Sequence, residues 1–182
     1  MAKKKRKLKI SKLCLFIACI LALVSCAMMF VTTLTKTEND NVKNIPGFAM
    51  AFGMIVKSGS FLGQTGSVKL NMTFELIIAY LLPAILAIIV LIYSLVTKKY
   101  KGLVKIILGL LLTISFIITI IIIIKTPQLA TLTISANTIL GSGKTTSTLQ
   151  SNDYNLAYGA YLTIVSAGLG ALSSLGYTIL KK

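Results

Sequence analysis

The chain has 182 residues, of which 55% are hydrophobic, and its mean hydropathy is +0.88. Nineteen Lys and Arg against four Asp and Glu give a formal charge of +15, and His is absent. Such a charge suits nucleic-acid binding only as a basic face on a folded domain. Here most basic residues flank long apolar runs, so the composition favours a membrane protein and argues against a nucleic-acid partner.

The N-terminus combines a basic tail, residues 1–12, with an apolar run at 13–34. The tail has seven basic residues, and the run is long enough to cross a bilayer. The stretch LVSC at 23–26 resembles the bacterial lipoprotein signal, which implies a lipidated Cys26. Because the run continues eight residues past Cys26, an uncleaved first span is the favoured interpretation, and a lipoprotein is the alternative.

Residues 35–75 form a first outer loop that is too long for a simple connection. Apolar residues alternate at positions 48–54 (Phe48, Met50, Phe52, Met54) and again at 68–74 (Val68, Leu70, Met72, Phe74). Period-two alternation is typical of a half-buried strand. The glycines and serines between these segments, KSGSFLGQTGS, predict turns.

The second and third spans are predicted at 76–96 and 103–124, joined by a cytoplasmic turn at 97–102. Lys105 is the charged residue inside these runs, and we expect its ammonium to reach the membrane surface from less than one turn inside. Glu75 begins the second span and Lys125 ends the third. Because antiparallel neighbours bring these ends together, we predict an ion pair between Glu75 and Lys125.

The second outer loop, residues 125–155, contains a predicted strand and a partial nucleotide-binding motif. TLTISA at 131–136 alternates as a strand does. GSGKTT at 141–146 matches the second half of a phosphate-binding loop, but Thr138 occupies the position of its first glycine, and no helix is predicted to follow. We therefore expect no nucleotide to bind.

The fourth span is predicted at 156–180, followed by a cytoplasmic end at 181–182. Small residues recur along it at helical spacing: Gly159, Thr163, Ala167, Gly170 and Ser174. Small residues let helix backbones approach closely in lipid. This stripe predicts packing within the bundle, with an interface for a partner membrane protein as the alternative.

The distribution of basic residues predicts the topology. Thirteen of the 19 lie in the tail, the 97–102 region up to Lys105, and the C-terminus, and six are spread over the two outer loops. Cytoplasmic segments carry the excess of Lys and Arg. The expected fold is an all-α, multi-pass plasma-membrane protein: a four-helix bundle with both termini cytoplasmic, whose two outer loops can pair into a small extracellular β-sheet.

Four spans, cytoplasmic termini and a long first outer loop resemble the claudin-like tetraspan layout. The resemblance does not extend to motifs, because the first loop has neither Trp nor Cys. NIPGFAMAFG, residues 44–53, is similar to a segment of small, uncharacterised four-span proteins of low-GC Gram-positive bacteria and mollicutes. That similarity implies no activity.

Functional expectations follow from what the sequence provides. With no His and four acids, general acid–base catalysis has few candidates, so we expect no enzyme and no cofactor or metal. The favoured function is an accessory tetraspan that, besides its bilayer, binds another membrane or extracellular protein through outer loops or lipid-facing helices. A small pore-former or transporter subunit, such as a holin-like protein, is the alternative, as is the lipoprotein.

Overall fold

A computed structural model describes residues 2–38, 41–61, 64–96, 102–138 and 141–180. Its helices are α1 (Ala2–Ala27), α2 (Gly47–Phe52), α3 (Phe74–Val96), α4 (Gly102–Ile124), α5 (Thr126–Leu129) and α6 (Tyr158–Ile179). Its strands are β1 (Thr32–Glu38), β2 (Asn41–Pro46), β3 (Ile55–Phe61), β4 (Gln64–Leu70), β5 (Thr131–Thr138), β6 (Gly141–Thr148) and β7 (Asn155–Leu156). The predicted cytoplasmic turn at 97–102 lies outside the described residues except for Gly102, and so does the end at 181–182.

The chain divides into two compact units. The helical unit combines Met1–Met28, Ile78–Ile123 and Tyr161–Lys182, and the sheet unit combines Met29–Ile77 and Ile124–Ala160. The chain is mostly helical, and where one small sheet was expected from the two long loops the structure has two.

Four helices in the described part of the chain are long and apolar enough to span a membrane. The candidate spans are Ile10–Phe30, Phe74–Val96, Leu103–Ile124 and Tyr158–Ile179. The prediction of four apolar spans is confirmed, and the protein is of the multi-pass membrane type.

The first span ends earlier than predicted. Helix α1 ends at Ala27, a 3-10 turn covers Met28–Phe30, and β1 begins at Thr32. The predicted end at Leu34 is wrong because Val31, Thr32 and Thr33 are β-branched and favour a strand. Leu34 instead pairs with Ile45 of β2 and is fully buried in the sheet unit.

The core of the helical unit draws residues from all four long helices. Its buried members are Leu15, Ala18, Cys19, Ala22, Ala87, Val90, Leu112, Phe116, Ala167 and Tyr177. Alanines on α1, α3 and α6 let the backbones approach, while Leu112 and Phe116 of α4 fill the centre. Close packing of small against large residues thus holds the bundle together in an apolar solvent.

The sheet unit contains a three-stranded sheet, β2-β1-β7, and a four-stranded sheet, β3-β4-β5-β6, with antiparallel pairing. The pairs β1–β7 and β4–β5 each join a strand of the first long loop to one of the second. The strand expected at 131–136 is confirmed as part of β5. Both long loops contribute strands to each of the two sheets, so the expectation that the loops pair with each other is likewise confirmed.

The prediction of a strand at 48–54 is wrong, because residues 47–52 form helix α2. Pro46, in extended conformation, precedes its first turn, and Gly53 ends it with φ +74°. The strand predicted at 68–74 continues only to Leu70, since Phe74 begins α3. The turns expected between Lys57 and Ser67 are largely replaced by β3 and β4, with residues 62–63 outside the described part.

Candidate functional site

The two central strands of the four-stranded sheet, β4 and β5, present two chemically different faces. Val68, Ile134 and Thr145 lie opposite one another on adjacent strands, and alternation along each strand puts Leu70, Leu132 and Ala136 on the same side. We call Val68, Leu70, Leu132, Ile134 and Ala136 the apolar sheet face. Leu70 and Leu132 are 1% and 7% exposed, whereas Ile134 is 45% exposed. One end of this face is therefore covered, and the other end is open.

The opposite face is polar and locally cross-linked by hydrogen bonds. The Asn71 side-chain amide donates to Thr131 Oγ1 at 2.8 Å and to Thr133 Oγ1 at 3.0 Å. The hydroxyls of Thr133 and Thr146 share a hydrogen bond of 3.1 Å between β5 and β6. These bonds fix the end of β4 against β5 and β6, so the sheet offers a defined surface rather than a set of mobile loops.

The partial nucleotide-binding motif is part of strand β6. Residues 141–148 pair along β5, and Lys144 lies opposite Ser135 with its side chain exposed. A phosphate-binding loop has to curl around its ligand and lead into a helix, whereas this segment is extended and leads to a 3-10 turn at Gln150–Asn152. The geometry supports the interpretation that GSGKTT is not a nucleotide site.

All five residues of the predicted small-residue stripe are buried: Gly159, Thr163, Ala167, Gly170 and Ser174. In the helical unit, the Ser174 and Thr113 hydroxyls lie 2.6 Å apart, and a side chain at Gly170 would overlap the ring of Phe116. In the sheet unit, Gly159 packs so closely on Val31 and Thr32 that it has no room for a Cβ. This placement favours packing inside the chain over an interface for a partner.

A threonine on α4 hydrogen-bonds a carbonyl of α3 that a proline leaves without its helical donor. Pro83 has no N–H, so it cannot donate to the carbonyl of Ala79 four residues earlier. The Thr119 hydroxyl lies 2.8 Å from that oxygen and 3.0 Å from the carbonyl of Ser115. Thr119 thus supplies the missing donor inside the bundle, as a membrane helix that contains proline requires.

The ammonium of Lys105 is buried inside the helical unit, whereas the sequence predicted that it extends to the membrane surface. The side chain is 2% exposed and its ammonium donates to Ser11 Oγ at 2.6 Å and to the Tyr177 carbonyl at 2.7 Å. It also lies 3.8 Å from the centre of the Tyr177 ring. These contacts on α1 and α6 compete successfully with water for the ammonium because they offer two acceptors and an aromatic face.

Helix α1, which the lipoprotein alternative would remove, is part of the bundle core. Leu15, Ala18 and Ala22 are at most 3% exposed, and Cys19 Sγ lies 3.5 Å from the Ala87 carbonyl. Cys26, the predicted lipidation site, is a partly exposed free thiol near the end of α1. Cleavage before Cys26 would therefore uncover the surfaces of the other helices that α1 buries.

The ion pair predicted between Glu75 and Lys125 is not seen among the described residues, and both side chains are exposed. An exposed pair of this kind adds little stability, since water solvates each charge separately. The pair stays a prediction.

Within the described residues, no group of three or more His, Cys, Asp or Glu side chains could hold a metal ion.

The sequence analysis did not predict two features of the helical unit, the Thr119–Ala79 hydrogen bond and the burial of Lys105. A proline followed by a threonine on the next span is a usable signal for the first, because freed carbonyls recruit hydroxyl donors.

A comparison of the chain with protein-family models, curated proteins and solved structures found no match.

Proposed function

We propose that this protein is a non-enzymatic, multi-pass plasma-membrane protein that binds another protein through the apolar sheet face. Both termini are cytoplasmic in this proposal, and the sheet unit lies on the outer side. The four spans serve as the anchor. This assignment agrees with the 13-to-6 distribution of basic residues between the predicted cytoplasmic and outer segments.

The open end of the apolar sheet face is the observation that supports protein binding. Two segments more than 60 residues apart in sequence pair along β4 and β5, which fixes Val68 beside Ile134. Ile134 remains 45% exposed on this ordered surface. Burial of apolar area releases about 25 cal/mol per Å², so a partner with an apolar patch gains free energy by covering it.

A photo-crosslinking amino acid at position 134 tests this proposal in native membranes. We expect a discrete crosslinked product from position 134 and none from position 146, because Thr146 lies on the polar face of the same sheet and is also exposed. The matched position controls for random collisions. Equal products from both positions, or none from either, would contradict binding through the apolar sheet face.

The proposed topology predicts which introduced cysteines are accessible. In a variant without Cys14, Cys19 and Cys26, cysteines at Ser58 and Ser142, both exposed, should react with an impermeant thiol reagent in intact cells. A cysteine at Thr97 should react only after the cells are lysed. If the cysteine at position 97 were the only one labelled in intact cells, the orientation would be the opposite of the proposed one.

The alternative functions lead to different measurements. The centre of the bundle is filled by Leu112 and Phe116, each 0% exposed, and this packing disfavours a water-filled path through a single chain. Ion flux through liposomes that contain the pure protein would favour the pore-former. A mature N-terminus that begins at a lipidated Cys26, read by mass spectrometry, would establish the lipoprotein.

A further inference from the structure

Helix α2 presents aromatic side chains to its surroundings on one face. Phe48 and Phe52, four residues apart, are 42% and 44% exposed, and their ring centres lie 5.1 Å apart. Phe30 stacks on Phe48 with centres 5.7 Å apart and is 66% exposed. We call Phe30, Phe48 and Phe52 the aromatic triad. Gly47, Ala49, Met50 and Ala51 are buried in the sheet unit, so both sides of α2 are apolar and its exposed side carries the Phe rings.

Both ends of α2 are hydrogen-bonded to residues that border candidate spans. The Gly47 N–H donates to the Val31 carbonyl at 3.4 Å, and Val31 directly follows the span that ends at Phe30. The Thr73 N–H donates to the Met50 carbonyl at 3.0 Å, and Thr73 directly precedes the span that begins at Phe74. Helix α2 is thereby tied to the points where the first span ends and the second begins.

The turn after α2 packs closely against the segment that follows β4. Gly53 has φ +74°, and a Cβ there would lie 3.1 Å from both the Leu70 carbonyl oxygen and the Met72 nitrogen. Only glycine adopts this conformation without strain. The residues around this turn continue the exposed apolar surface, since Met54 is 55%, Met72 is 58% and Phe74 is 63% exposed.

We propose that α2 is an in-plane membrane anchor, with the aromatic triad inserted among the headgroups and upper acyl chains of the bilayer. Phe30 belongs both to the triad and to the candidate span Ile10–Phe30, and the exposed Phe74 begins the candidate span Phe74–Val96. Phe is among the residues by which interfacial helices insert at this depth of the bilayer. Insertion there removes the exposed rings of the triad from water.

The absence of Trp from the sequence makes the proposal directly measurable. Phe48→Trp introduces the only indole, and Phe52→Trp is a second reporter on the same face. In vesicles of phosphatidylcholine brominated on the upper acyl chain, we expect both indoles to lose most of their fluorescence and to emit at short wavelength. Bromine near the chain end should quench them less, because the indole lies near the interface.

Val42→Trp is the matched control. Val42 is 60% exposed and pairs with Thr37, which lies about 17 Å along β1 from Thr32 at a strand rise of about 3.3 Å per residue. Its indole should be quenched by aqueous iodide and not by brominated lipid. Iodide quenching at positions 48 and 52 would overturn the anchor. Protection there from both quenchers would also overturn it and would assign the triad to a protein partner or a second copy.

Discussion

Gly170→Ala is expected to lower the free energy of unfolding by about 1–2 kcal/mol, although alanine is the better helix former. An added Cβ would lie 2.6 Å and 2.8 Å from Cε1 and Cε2 of Phe116. Phe116 is 0% exposed in the bundle core, so its ring can move only by displacing other packed side chains. The overlap therefore outweighs the gain of about 1 kcal/mol in helix propensity. Thermal unfolding in detergent measures the change.

Gly168 provides the matched control on the same helix, since an added Cβ there meets nothing within 4 Å. Gly168→Ala should be neutral or stabilising by up to about 1 kcal/mol. Phe116→Leu supplies a second check, because Gly170→Ala should cost less once the ring is gone. A decrease of the same size for both glycines would show that the loss does not come from contact with Phe116.

Thr119→Val is expected to cost about 1 kcal/mol of bundle stability, because it keeps the side-chain shape and removes the hydroxyl. The hydroxyl donates at 2.8 Å to the Ala79 carbonyl, which Pro83 cannot reach with an N–H. Without it, a buried carbonyl loses its donor in a solvent that offers no replacement. Thr119→Ser keeps a donor and should retain most of the stability.

Pro83→Ala tests whether the proline causes the dependence on Thr119. An alanine at position 83 has an N–H that can bond the Ala79 carbonyl within α3. We therefore expect Thr119→Val to cost less in the Pro83→Ala background than in the natural chain. Equal costs in the two backgrounds would mean that Thr119 acts by packing or through the Ser115 carbonyl, 3.0 Å away.

Hydropathy predicted the spans well because the requirement for an apolar run of about 20 residues acts locally. The third span illustrates this, since the predicted 103–124 matches the candidate span Leu103–Ile124. The stripe on the fourth span was also predictable, because spacing alone puts Gly159 to Ser174 on one helix face. Burial of all five residues shows that this face packs inside the protein.

Alternation in GFAMAFGM was misleading because Phe48 and Phe52 satisfy period two and the helical i, i+4 spacing alike. Two tertiary hydrogen bonds favour the helix, from the Gly47 N–H to Val31 and from the Thr73 N–H to Met50, and Gly53 ends it with φ +74°. Burial of Lys105 was unpredictable for a similar reason. Its acceptors belong to residues 94 positions before and 72 positions after it in the sequence.

The buried Lys105 also bears on the order in which the protein assembles during its synthesis. Helix α4, which carries it, is synthesised before α6, and the Tyr177 carbonyl lies in the last turn of α6. Until α6 is made, the ammonium lacks the Tyr177 carbonyl as an acceptor and the Tyr177 ring as a neighbour. Addition of the last helix is therefore the step that completes the surroundings of Lys105. A chain that ends before residue 177 carries this lysine without either contact on α6.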